Sequence, residues 1–170
     1  MAVIHVCDYP SPLGKLLLAE EEEALVGAWF EGQKYFGASL PEETVHELTP
    51  VLMAATRWLD TYFSGATPGP LPPLCPRGTP FRQTVWALLL EIPYGQTVTY
   101  GALAKQMAEK NGQKRISSQA VGGAVGHNPV SIFIPCHRVV GADGSLTGYA
   151  GGLEKKKALL ALEASHSGSF

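Results

Sequence analysis

A thiol stands beside an imidazole and a guanidinium in the run Ile134-Pro135-Cys136-His137-Arg138-Val139. Free cysteine is mostly protonated at neutral pH, and only the thiolate attacks. His137 as a base and Arg138 as a nearby positive charge would both enrich the thiolate. Glu163 could orient His137 in the manner of a triad. Pro135 pushes Ile134 into extended backbone and removes a donor, so a regular strand ends there. In a continuing strand Cys136 and His137 would face opposite ways; a turn lets both approach one cavity. These residues predict an activated thiol and leave hydrolysis and group transfer equally open.

Other sites of reaction are weaker. Cys7 and Cys75 read as small buried apolar residues. His5, Cys7, His46 and Cys75 show no recognised metal-ligand spacing, no zinc deaminase pair accompanies Pro135-Cys136, and no Cys-x-x-Cys-His exists for haem. Neither a metal nor a cofactor is expected. Three scattered cysteines suit a reducing compartment. The chain has no 18-residue apolar run, and it begins without a basic segment leading into an apolar one. A soluble, cytoplasmic protein is the expectation, with no membrane contact.

The elements that must position this chemistry fall into two groups. Alternation over residues 2–7, the turn Ser11-Pro12-Leu13-Gly14, a strand over 15–20, an acidic turn at Glu20–Glu23 and a strand over 24–30 predict an antiparallel meander. Thr49-Pro50 caps a helix that buries Leu52, Ala55, Leu59, Tyr62 and Phe63 and stops at Gly65. Residues 65–78, with five prolines and three glycines, read as a stiff linker and a domain boundary. Thr79-Pro80 opens a second helix, which ends at Pro93-Tyr94-Gly95, and Thr99 caps a short third one. A polar, basic loop over 109–116 leads to a helix from Ser117 or Ser118 to about Gly126, a pair resembling a helix-turn-helix. Gly122, Gly123 and Gly126 each cost that helix about 1 kcal/mol relative to alanine. Close helix packing is the plain explanation; close approach of a partner is the other. A strand over 131–134, a hairpin turn at Asp143-Gly144 and a helix over 152–164 burying Leu153, Leu159, Leu160 and Leu162 follow. Lys155–Lys157 reads as a solvated helix face.

Net charge is −2, but residues 1–78 hold four basic side chains against ten acidic ones, and residues 79–170 nine basic against five acidic. Only the second part is suited to a polyanion.

Ile134–Val139 resembles the active-site signature of the O6-alkylguanine-DNA alkyltransferases. Gly78-Thr79-Pro80-Phe81, Ile92-Pro93-Tyr94-Gly95, Ala120-Val121-Gly122-Gly123-Ala124, Asn128-Pro129 and Gly148-Tyr149-Ala150-Gly151-Gly152-Leu153 occur in the family's order. The resemblance implies an α/β (α+β) chain: a small ribonuclease-H-like domain over 1–78, a winged-helix-like alkyltransferase domain with a helix-turn-helix over 79–165, and a flexible tail over 166–170. It implies a monomer that binds double-stranded DNA containing O6-alkylguanine. The alkyl group would pass irreversibly to Cys136 in a single turnover, with O4-methylthymine a secondary substrate. A bacterial chain would reach the nucleoid, a eukaryotic one the nucleus. By the same resemblance Tyr100 assists the leaving base, and Tyr149, Ala150, Arg138 and Val139 surround the guanine. Asn128 braces the turn under the cysteine, and Glu163 pairs with His137. Ala120, Gly123 and Ala124 meet the minor groove with Gln119, which stands where the family often has an arginine that fills the gap left by the flipped base. Arg115 or Lys114 would compensate. The competing readings are a protein that binds alkylated DNA without repairing it, which typically has tryptophan at the cysteine position, and a cysteine hydrolase.

Overall fold

Two tight turns set the N-terminal meander. The computed structural model describes residues 3–38, 40–146 and 148–167. Strands β1 (Ile4–Ser11), β2 (Gly14–Glu21) and β3 (Ala24–Phe30) are antiparallel neighbours. Ser11 pairs with Gly14 across the first turn, and its hydroxyl donates to the Gly14 carbonyl at 2.6 Å. At the second turn Glu22 and Glu23 take φ of 50° and 65°, the left-handed values that a two-residue I′ hairpin requires. The short β4 (Val45–His46) adds parallel to β1, giving the order β3-β2-β1-β4. Helix α1 (Pro50–Phe63) is capped by the Thr49 hydroxyl, which accepts from Leu52 N–H. It buries Leu52, Ala55, Leu59 and Tyr62, while Phe63 stays half-buried and stacks on Tyr9.

The edge of β3 is covered twice. Leu25 bridges to Leu74 in the proline-rich segment, and Ala28 bridges to Val130. The prolines therefore form no free linker over their whole length. Such covering removes an edge that would otherwise template pairing with another chain. One unit accordingly takes the chain as far as Arg77 together with Pro129–Phe133; the other takes Gly78–Asn128 and the chain from Ile134 onward. Residues 129–133 thus sit outside the unit that the expected boundaries give them. The expected strand over 131–134 does not form, because Ile132 takes φ of 74° and breaks the pleat. A β-branched residue rarely adopts that conformation. Phe133 then stacks against Trp58, centroids 4.7 Å apart.

In the second unit α2 (Pro80–Leu89), α3 (Tyr100–Lys110), α4 (Ser118–Gly126) and α5 (Leu153–Ser167) surround a parallel pair, β5 (Val98–Thr99) and β6 (Val139–Val140). Thr79, Thr99 and Ser117 cap the first three of these helices. Helix α5 runs past the expected end at 164, taking in residues expected to be tail, and 168–170 lie outside the described residues. Leu153 is exposed rather than buried; Leu159 is buried, and Leu160 and Leu162 are half-buried. Asp143-Gly144 forms a turn, with Gly141 N–H donating to Ser145 O, yet β6 pairs with β5 instead of entering a hairpin. Cys75 is exposed, because the proline-rich segment lies on a sheet edge rather than in the core, and Cys7, on β1, is half-buried rather than buried. None of the described helices is long and apolar enough to cross a membrane.

Gly78 shows why a glycine precedes the α2 cap. A Cβ there would lie 2.4 Å from the ring of Trp86, which is 1% exposed and donates its indole N–H to Ala124 O at 2.9 Å. Gly78→Ala must therefore displace the ring that ties α2 to α4. It is expected to cost about 1–3 kcal/mol in urea unfolding followed by tryptophan fluorescence.

Candidate active site

Three local devices aim the thiol. Pro135, at φ −80° and ψ 64°, makes an inverse γ-turn in which Cys136 N–H donates to Ile134 O at 2.8 Å. A single 3-10 turn, Cys136–Arg138, follows, so cysteine and histidine leave the backbone as helical neighbours. Asn128 Nδ2 donates to Ile134 O at 2.8 Å, clamping together the two ends of the 129–133 excursion.

Cys136 is 5% exposed. Burial pushes its thiol above the ordinary cysteine value, against hydrogen bonds from Asn128 and from the N–H groups of Cys136 and His137 and the positive charge of Lys156. Burial thus favours the thiol at rest, against the enrichment of thiolate expected from its neighbours. The cation acting on the sulfur also differs from the one expected. His137 turns Nε2 toward Glu163 Oε2 at 2.5 Å. Arg138 donates from Nε to Glu163 Oε1 at 2.7 Å and from Nη1 to Ile92 O at 2.8 Å, and lies over the Tyr94 ring. Its guanidinium is therefore tied to the scaffold rather than offered to a ligand.

Glu163 is 1% exposed and also accepts Gly95 N–H at 3.0 Å. Although burial opposes ionisation, the hydrogen bonds from His137 and Arg138 and the guanidinium charge hold its carboxyl down at about 2. Burial lowers the His137 pKa despite Glu163, so the imidazole is a neutral base at physiological pH. Its Nδ1 is buried without a hydrogen-bond partner among the described residues. A neutral thiol beside a neutral base can separate charge when a reaction draws on the sulfur, and the carboxylate is placed to stabilise the resulting imidazolium.

The remaining expected residues divide. Tyr100 opens α3, and Tyr149 and Ala150 lie half-buried in the loop before α5. Val139 is fully buried in β6 against β5. Gln119, Ala120 and Gly123 are exposed on α4, whereas Ala124 is 3% exposed beneath them. With Thr79, Phe81, Arg82 and His127 they line one open groove. Arg115, Lys114 and Lys105 line a second groove between α3 and the start of α4. A Cβ on Gly123 or Gly126 would meet nothing within 4 Å, and one on Gly122 would make ordinary contact with Tyr100. Close helix packing thus does not account for these glycines. Lys156, expected on a solvated face, is fully buried. Its spacing from Leu159 and Glu163, three and seven residues on, was the available signal.

Comparison with known proteins agrees over nearly the whole chain. Residues 80–165 match the model for the 6-O-methylguanine DNA methyltransferase DNA-binding domain, and residues 6–69 match that for its ribonuclease-like domain. A Haemophilus influenzae methylated-DNA–protein-cysteine methyltransferase is 42% identical over 96% of this chain and 88% of its own. A Methanosarcina acetivorans protein of the same name is 44% identical over 92% and 96%. The Mycobacterium tuberculosis O6-methylguanine methyltransferase crystal structure superposes with a TM-score of 0.84 at 39% identity, covering 99% of this chain and 97% of that one. A crystal structure of the M. tuberculosis protein in complex with DNA gives 0.80 at 38% identity, covering 96% and 93%. With both domain models matched in order and a buried cysteine between its asparagine and histidine neighbours, this chain belongs to the 6-O-methylguanine DNA methyltransferase family.

Proposed function

We propose that this chain repairs O6-alkylguanine in double-stranded DNA by taking the alkyl group onto Cys136. The observation that carries the reading is the pairing of a buried thiol with a neutral, carboxylate-backed imidazole in a chain of this family. The exposed glycine-rich face of α4 supports DNA as the partner, since a backbone free of side chains admits close approach. The damaged guanine is flipped into the site at a cost of a few kcal/mol, least for a weakened pair. Tyr149 and Ala150 hold the base, and Tyr100 assists its departure. The thiol proton passes to His137 Nδ1 by way of one water. The sulfur attacks the alkyl carbon, the S–C bond forms as the C–O6 bond breaks, and guanine leaves with a proton returned to its ring nitrogen. No metal or cofactor enters these steps. The thioether has no route back to a thiol, so each molecule acts once, as a monomer, in the cytoplasm.

Titrating a duplex containing O6-methylguanine with the protein and counting restored guanines tests this. One guanine per molecule, with no second round, is expected; repeated turnover would indicate a hydrolase, and binding without restoration a recognition protein.

Gln119 occupies the position proposed to fill the vacated base stack. Gln119→Arg is expected to speed repair of duplex substrate and to leave the reaction with free O6-benzylguanine unchanged, as read by quenched-flow rates on both. A matching change on the free base would remove Gln119 from base extrusion.

A further inference from the structure

Lys156 is the buried charge that the reaction above does not use. A lysine is almost never fully buried unless paired, yet this one is 0% exposed in the middle of a Lys155-Lys156-Lys157 run whose outer members are half-buried and exposed. It shares one face of α5 with Leu159 and Glu163, both buried. Its Nζ donates to Gly148 O at 3.1 Å, and the ammonium stands 5.7 Å from the centroid of the Tyr100 ring. Two parts of the site therefore converge on one side chain, the loop that carries Tyr149 and Ala150 and the first residue of α3, and its charge favours ionisation of the Cys136 sulfur.

We infer that Lys156 is a positioning residue of this site, whose ammonium straps the 148–150 loop to α5 and serves as the counter-charge of the Cys136 thiolate. This rests on the alkyl-transfer reading only for its purpose, because the ion pair itself needs no DNA. The titratable groups packed around the sulfur have other engagements. Glu163 of α5 is shared by His137 and Arg138 of the 3-10 turn, and Tyr100 of α3 lies under the lysine. Among the described cations, Lys156 is the one whose charge favours the thiolate. The pairing is also transient by chemistry. The thiolate forms only as the sulfur reacts, and once the sulfur is a thioether it carries no charge for the ammonium to stabilise.

Modification of Cys136 by iodoacetamide as a function of pH, read on the Cys136 peptide by mass spectrometry, tests the inference independently of DNA. Lys156→Gln can still donate to Gly148 O but has no charge. The midpoint of its profile should move to higher pH, and for each pH unit moved the neutral-pH rate should fall about three- to fourfold while the alkaline plateau rises. Lys156→Arg keeps the charge and should hold the native midpoint. A native midpoint in Lys156→Gln, or a uniform loss at every pH, would reduce the lysine to a packing role and overturn the inference. Should Lys156→Gln fail to fold, a displaced midpoint in Lys156→Arg would do the same. A native-like guanine-restoration assay with an unmoved iodoacetamide profile would sink this inference and spare the alkyl-transfer reading.

Discussion

Cys136→Ala is expected to lose alkyl transfer by roughly 10³-fold or more while still binding DNA, since removal of a nucleophile leaves nothing to accept the group. The change removes one sulfur atom from a site that is 5% exposed, and Asn128 keeps its bond to Ile134 O. Stability should therefore change by only about 1 kcal/mol. The exposed α4 face, with Gln119, Ala120 and Gly123, is untouched. Transfer rates on an O6-methylguanine duplex, set beside affinity for the same duplex, separate the two functions. Parallel loss of both would mean that the cysteine is part of the fold rather than of the chemistry.

Glu163→Gln should cause the largest loss of stability. The carboxylate takes His137 from the 3-10 turn, Arg138 beside it, and Gly95 N–H from the turn before β5. A glutamine offers one acceptor oxygen and sets an NH₂ against a second donor. It also leaves the Arg138 guanidinium, 8% exposed, without its counter-charge. Breaking a buried pair in this way costs about 3–5 kcal/mol, which for a chain of this size lowers the thermal midpoint by about 10 °C. The pH dependence has a definite sign. A carboxyl held down at about 2, against roughly 4.3 when unfolded, stabilises the native state above the unfolded value. That contribution disappears as pH falls through the window from about 4 to about 2. The native protein should lose more stability there than Glu163→Gln does, so that the two curves converge near the acid end. A constant gap across the window would show that the carboxylate is not the group that matters.

Local rules made much of this molecule legible. Thr49-Pro50 and Thr79-Pro80 start helices because a hydroxyl cap and a proline at the first helical position satisfy the same orphan N–H groups anywhere. The meander was readable from alternation and two-residue turns, and Cys136 from its neighbours and the family motifs. What stayed hidden depends on contacts made far along the chain. Residues 129–133 look like a strand of the second domain, yet Val130 pairs with Ala28 and Ile132 turns left-handed. Arg138 lies next to the cysteine in sequence, but its guanidinium finds Glu163, so adjacency misstated which cation acts on the sulfur. Lys156 was concealed by composition: three consecutive lysines read as solvent-facing until the period of α5 singles out the middle one.

In the proposed reaction Cys136 is consumed by the lesion it repairs. Incubation with a duplex containing O6-methylguanine, followed by digestion and weighing of the Cys136 peptide, tests it most directly. This peptide should gain the mass of one methylene in proportion to lesion repaired, up to one per molecule, while the Cys7 and Cys75 peptides stay unchanged. Restored guanine with an unmodified Cys136 peptide would contradict it.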